Sequence, residues 1–336
     1  MTRFDVLAEQ VLGGHPVTRE EGLELLQTGD AQLLPLVNAA YTIRHAYFGR
    51  KVTIQMLFNA KSGACQEDCH YCSQSSISTA PIDRYALVSP EDMLKAARRA
   101  HEAKAERYCV VISGRSPLEK EVDDIASAVQ RIKQELPMQV CCSLGLLTEP
   151  QAKRLKAAGV DRINHNLNTS EAYHSSICTT HTYQDRMTTL QNARAAGLEL
   201  CSGGIVGMGE SDKDLVDLAF ALRDVNPDSI PLNMLHPIPG TPLADARHLT
   251  PQRCLKILCL FRFVHPQREL RAAGGREFNL RSLQPMALYV ADSLFVNGYL
   301  TTPGDPAREV ERMLADMGFE VSGKNPALTD SAVSTT

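Results

Sequence analysis

Between residues 50 and 300, short β-branched runs alternate with stretches of helical period, and they do so eight times. Nothing constrains the fold of this chain more. The runs lie near 52–58, 107–113, 138–144, 160–167, 198–206, 229–235, 268–273 and 293–297. The helix expected over 90–104 opens Ser89-Pro90-Glu91-Asp92, an N-cap followed by proline in the first turn and acids at the positive dipole end. Helices over 149–158 and 183–196 end at Gly159 and Gly197, the residue type that closes a helix most readily. This alternation predicts an α/β fold, a (β/α)8 TIM-type barrel, with a six-strand partial barrel and separate tail as the runner-up. Residues 1–50 read as an N-terminal helical extension, in which Thr18-Arg-Glu-Glu21 forms a capping box. The barrel is expected over 51–320, and 321–336 as a polar, flexible C-terminal tail.

Directly after the first strand comes Cys65-Gln-Glu-Asp-Cys69-His-Tyr-Cys72. In such barrels the C-terminal strand ends carry the active site. Three thiolates can hold three corners of a cubane iron–sulfur cluster and leave the fourth iron open to a substrate or cofactor, whereas electron-transfer clusters close every corner. The competing readings are a zinc site or three unrelated thiols, but zinc ligands usually come as two pairs or as Cys-plus-His sets.

Composition excludes several function classes. With 43% hydrophobic and 22% charged residues the chain has the balance of a soluble globular protein. A net charge of −4 without a Lys/Arg block gives no footprint for nucleic acid or an anionic membrane. The N-terminus lacks a signal-peptide core, and no apolar run is long enough to span a bilayer, so a cytoplasmic location is expected. Ten cysteines in a cytosolic chain should not be disulfides.

The barrel reading sharpens the account of those cysteines. Successive strands carry Cys109, Cys141, the pair Asn164 and Asn166, Cys201, Asn233 and Arg271. Period-two alternation can turn all of them inward, where a barrel normally places Val, Ile and Leu. Buried polar groups need partners, so this set predicts a ligand-lined cavity. Three thiols could hold a second cluster. Arg271, protonated in almost every protein setting, reads on chemistry alone as a counter-charge. Cys141 and Cys142 are adjacent and must face opposite sides.

The Cys-x3-Cys-x2-Cys spacing, with Tyr71 before the third cysteine, resembles that of the radical S-adenosylmethionine superfamily. The likeness narrows further at 65–75, at Asn164-His-Asn-Leu-Asn-Thr-Ser170, at Cys201-Ser-Gly-Gly-Ile-Val-Gly-Met-Gly-Glu210 and at Gly274-Gly-Arg-Glu277. Thr182-Tyr-Gln-Asp-Arg186, Pro231-Leu-Asn-Met-Leu235 and Leu300-Thr-Thr-Pro303 fit as well. From about residue 40 to 320 the chain resembles the biotin synthase family.

That resemblance implies a [4Fe-4S] cluster on Cys65, Cys69 and Cys72, and a [2Fe-2S] cluster on Cys109, Cys141, Cys201 and Arg271. The family register selects Cys141 over Cys142, and Cys178, Cys254 and Cys259 default to structural cysteines. It implies contacts to S-adenosylmethionine from Tyr71, Asn166, Asn168, Arg186, Ile205 and Val206, with Gly203-Gly204 letting the ligand approach the backbone, and contacts to dethiobiotin from Asn164 and Asn233. The implied reaction is sulfur transfer: 5′-deoxyadenosyl radicals abstract hydrogen at C9 and C6 of dethiobiotin, and the second cluster supplies the sulfur of biotin. Flavodoxin or ferredoxin as reductant, cluster-assembly proteins as partners and a homodimer are implied with it. The rivals are another radical S-adenosylmethionine enzyme of similar barrel, such as a hydrogenase-maturation or methylornithine-forming protein, and a non-catalytic iron–sulfur carrier. The interior set of three cysteines and one arginine separates them.

Overall fold

The computed structural model describes residues 1–322. Three helices come first: α1 (Arg3–Leu12), α2 (Arg19–Leu26) and α3 (Leu33–Phe48). The capping box of α2 forms as expected, Thr18 accepting from the Glu21 amide and Glu21 from that of Thr18. Then β1 (Lys51–Lys61), β2 (Arg107–Ile112), β3 (Gln139–Ser143), β4 (Arg162–Asn164), β5 (Glu199–Cys201), β6 (Gly204–Val206), β7 (Ser229–Met234), β8 (Glu269–Ala272) and β9 (Ser293–Phe295) form one parallel sheet. β9 pairs back with β1, closing an eight-sided (β/α)8 barrel.

The fifth side is broken into two. The expected strand over 198–206 stops at Cys201 and resumes at Gly204, and both pieces pair with β7. The interruption is steric. A β-carbon on Gly203 would lie 1.9 Å from the carbonyl oxygen of Pro231, and one on Gly204 2.5 Å from Leu218 Cδ2. The glycines therefore let β7 and the helix over Asp212–Val225 come close.

Around the barrel lie α4 (Pro90–Glu102), α5 (Glu119–Glu135), α6 (Glu149–Ala157), α7 (Glu171–His174), α8 (Tyr183–Ala195), α9 (Asp212–Val225), α10 (Pro251–Val264), α11 (Arg276–Leu280) and α12 (Ala307–Asp316). Gly159 and Gly197 adopt φ of +100° and +77° just past α6 and α8, the conformation a helix terminus needs and β-carbons resist. Residues Cys254 to Val264 of α10 are buried throughout, because the helix sits between the barrel and α3. That position makes Cys254 and Cys259 core residues.

A further strand, β10 (Glu320–Val321), pairs with Lys51 and Val52 at the start of β1, so ordered structure runs past 320. The rest of the expected tail, 323–336, lies outside the described residues. No helix among the described residues is long and apolar enough to cross a membrane.

Candidate active site

Strand register determines which side chains look inward. Leu57, Cys109 and Cys141 are aligned across β1, β2 and β3, Asn164 is aligned with Cys201, and Pro231 with Arg271 and Ser293. All of these except Ser293 line a cavity of about 390 Å³ in the barrel, of a size suited to a small molecule. Cys142, one residue on, packs into the main hydrophobic core instead. Cys109, Val111 and Cys141 form a small buried group with Leu57 and Leu300.

Below this ring, two residues earlier on each strand, the barrel floor is polar: Gln55, Arg107, Gln139, Arg162, Glu199 and Glu269. Glu269 is the hub. It accepts from Arg271, from Gln55 at 2.6 Å, from Arg107 at 3.2 Å and from Arg162 at 3.0 Å. Burial alone would raise its carboxyl, yet Arg271, Arg107 and Arg162 hold it far below the usual carboxylate range. Arg271 also donates to Ser229 at 2.9 Å and Ser293 at 3.1 Å, and its Nη1 lies 3.7 Å from Cys201 Sγ.

Cys109 and Cys141 share a hydrogen bond that raises the first thiol and lowers the second; Arg162, Arg107 and Arg271 lower Cys141 further. Three buried thiols under a net excess of arginine suit an anionic group bound through sulfur.

At the mouth, the cysteine motif is a loop clamped to residues 177–181. His70 N donates to Ile177 O at 3.0 Å, and Asp68 accepts from the amide of Thr179 at 2.9 Å. Glu67 accepts from Thr180 and from His181 Nδ1, at 2.5 Å for the latter. The two acids between the cysteines thus fix the loop, a function the spacing alone did not reveal. Cys65, Cys69 and Cys72 all line the same cavity. Burial raises all three thiols, Cys72 to about 11; for Cys69 a hydrogen bond with Cys178 comes first. A metal would favour their thiolate forms, so this donor set fits an iron–sulfur cluster.

Between mouth and floor stand the remaining expected residues. Asn168, at φ +71°, donates to Tyr71 Oη at 2.6 Å and joins the motif loop to the end of β4; asparagine tolerates that left-handed backbone. Its carbonyl accepts from Ile205 N at 2.8 Å, and Val206 follows as a buried strand residue. Arg186 donates to Asn166 O at 2.8 Å, while its buried Nε has no partner among the described residues. Such an orphan on a cationic group lining a cavity fits an anionic ligand. Asn166 Oδ1 accepts from Gly203 N at 3.1 Å, and Asn164 Nδ2 lies 3.2 Å from Cys201 Sγ. Asn233 donates to Gly204 O at 3.2 Å and accepts from Gly274 N at 3.0 Å.

Cys178 is buried like Cys254 and Cys259, but its surroundings differ, its Sγ lying 3.7 Å from that of Cys69. His165, His174 and His181 also gather here, and their clustering leaves no periodic trace in the sequence.

Comparison with known proteins agrees with this architecture. Residues 60–222 match the Radical SAM superfamily, and residues 231–320 the Biotin and Thiamin Synthesis associated domain. Curated proteins named biotin synthase share 53% identity in Rhodopirellula baltica, over 95% of this chain and 89% of the relative, and 53% in Geobacillus kaustophilus, over 96% of each. The Bacillus subtilis protein of that name is 51% identical over 96% of each chain. Among solved structures, a methylornithine synthase superposes with TM-score 0.83 at 19% identity, covering 94% of this chain and 97% of the other. A maturase of the [FeFe]-hydrogenase superposes at 0.81 and 16%, covering 96% and 76%. At such identities these two report on fold alone.

Proposed function

The chain belongs to the biotin synthase family of radical S-adenosylmethionine enzymes, and from that premise we propose how its cavity serves the insertion of sulfur between C6 and C9 of dethiobiotin to form biotin. Its cofactors are a [4Fe-4S] cluster, a [2Fe-2S] cluster and S-adenosylmethionine. Bound together they supply a hydrogen-abstracting radical and a sulfur atom, chemistry that no acid–base side chain can perform on an unactivated C–H bond. Everything else falls to the protein.

Cys65, Cys69 and Cys72 hold the first cluster at the mouth through three thiolates. Arg186 offers its unpartnered Nε to the S-adenosylmethionine carboxylate, a charge-assisted contact. Asn166, Asn168, Tyr71 and the backbone of Ile205 and Val206 complete that wall. Asn233 is held by two backbone contacts, which leaves its second amide hydrogen and second lone pair for the ureido ring, with Asn164 on the same cavity wall. Cys109, Cys141, Cys201 and Arg271 hold the second cluster on the floor. Leu57, Val111 and Leu300 surround the path with apolar surface that excludes water. Fixed side chains replace diffusive encounter, so positioning is the protein's main contribution.

The observation that supports this reading is that both thiol sets open into one cavity at different depths, one in the loop after β1 and the other within the strands. The same reading carries a homodimer, flavodoxin or ferredoxin as reductant, and cluster-assembly proteins as partners. It also carries a cytoplasmic location, consistent with ten free thiols.

Anaerobic incubation with dethiobiotin, S-adenosylmethionine and dithionite or flavodoxin tests it. Biotin and 5′-deoxyadenosine should appear together. Deoxyadenosine without biotin removes the sulfur insertion; absence of both removes the radical chemistry.

A further inference from the structure

Behind the mouth lies a cluster of side chains that the sulfur-insertion chemistry does not use. One ligand atom from each of His174, Cys178 and His181 lies within 4.8 Å of the other two, and all three residues are buried. Their spacing, His-x3-Cys-x2-His, falls on the short connection from α7 to α8.

The hydrogen bonds around them decide which atoms are free. His174 Nε2 donates to the carbonyl of His181 at 3.0 Å. That leaves Nδ1, which is buried and has no hydrogen-bond partner among the described residues. His174 is only 4% exposed. A buried imidazole nitrogen without a protein partner is costly unless something occupies the space before it. His181 Nδ1 donates to Glu67 Oε2 and lies 3.3 Å from Cys178 Sγ; the lone pair is left on Nε2, 3.8 Å from the same sulfur. His174 thus has its far nitrogen fixed by an oxygen acceptor, and Glu67 holds the His181 ring from Nδ1, contacts of the kind that orient ligating imidazoles.

A fourth donor stands alongside. Cys69 Sγ lies 3.7 Å from Cys178 Sγ, and two sulfurs bound at ~2.3 Å to one tetrahedral zinc ion lie about 3.8 Å apart. Cys69 and His181 both face the cavity, which gives an ion its entry path.

We propose that His174 Nδ1, Cys178 Sγ and His181 Nε2, joined by Cys69 Sγ in the cluster-free chain, form a tetrahedral site for a divalent cation of zinc type. Cys69 cannot serve this ion and the first cluster at once, so the two metal loads exclude one another. That exclusion rests on the cluster placement under Proposed function; the site itself does not. Zinc in this position would keep the mouth ordered in a chain awaiting iron, and iron–sulfur assembly would have to displace it.

The probe is Co2+, followed by Zn2+, added anaerobically to the reduced, cluster-free, full-length chain. The background substitutions C65A and C72A silence the neighbouring thiols. This chain should bind cobalt with the ligand-field band of a tetrahedral, thiolate-ligated ion, and zinc should bleach it. Adding His174→Gln or Cys178→Ala should each remove one equivalent, and Glu67→Gln should weaken binding by about ten- to a hundredfold. Two independent ligand variants guard against one that does not fold. Unchanged cobalt stoichiometry in variants whose circular dichroism matches the parent overturns the proposal. In the unsubstituted chain, zinc should be released as iron–sulfur absorption grows; a chain retaining both metals overturns the part assigned to Cys69. None of these measurements reads turnover, so failure of the biotin assay would leave them standing.

Discussion

Glu269 and Arg271, two residues apart on the same face of β8, meet as a buried ion pair at the base of the cavity. The glutamate also holds Arg107 and Arg162, so one carboxylate steadies three guanidinium groups. Only Glu199, bound to Arg162, adds further negative charge among these contacts.

Glu269→Gln should therefore be costly. Removing one partner of a buried charge cluster leaves the others unpaired, at about 3 kcal/mol or more. Chemical unfolding should show a loss of that order. A loss under about 1 kcal/mol would mean that solvent reaches the floor.

Arg271→Met should be milder. Glu269 keeps Arg107, Arg162 and Gln55 as partners, and the three thiols remain in place. The fold and much of the sulfur insertion should survive, with a loss no larger than about tenfold, because thiolates dominate affinity for iron over a nitrogen donor at the periphery. Absorption spectroscopy after anaerobic reconstitution checks this; complete loss of the second cluster would count against it.

Gly203→Ala should disrupt the fold locally. The new methyl would meet the Pro231 carbonyl at 1.9 Å, a backbone contact that cannot rotate away. We expect a destabilisation of about 3 kcal/mol or more, visible as a lowered thermal midpoint.

Acid should weaken the fold through His265. Burial pushes this imidazole down to about 3, and its Nε2 donates to Ala219 O at 3.0 Å. The unfolded chain takes up the proton near pH 6.5 while the folded chain refuses it. Stability is thus fully present above pH 6.5 and falls toward pH 3, by ~1.4 kcal/mol per unit for this group. His265→Gln should lose about 2 kcal/mol less than the parent between pH 6.5 and 5 in urea titrations. Equal acid slopes would refute the assignment.

The sequence was most legible where regular period governs. Strand alternation placed Cys109, Cys141 and Cys201 on one inner surface, and register puts Cys142 on the other. It was least legible where contacts join distant segments. Cys178 is 109 residues from Cys69, and nothing local to either encodes their meeting. The hub role of Glu269 has no local signal, because two of its three arginine partners lie on β2 and β4. The break in the fifth strand follows from the approach of Pro231 and Leu218, which a propensity for β-structure in Ile205 and Val206 cannot report.

The salt-bridged floor has a kinetic consequence. With Gln55, Arg107, Gln139, Arg162 and Glu269 interlocked across the lower end, material reaching Cys109, Cys141 and Cys201 must come from above. With the second cluster placed as proposed, spent product and fresh iron and sulfide would share that approach from above. Repair would then wait until the previous occupant departs, and catalysis and refurbishment would alternate in time.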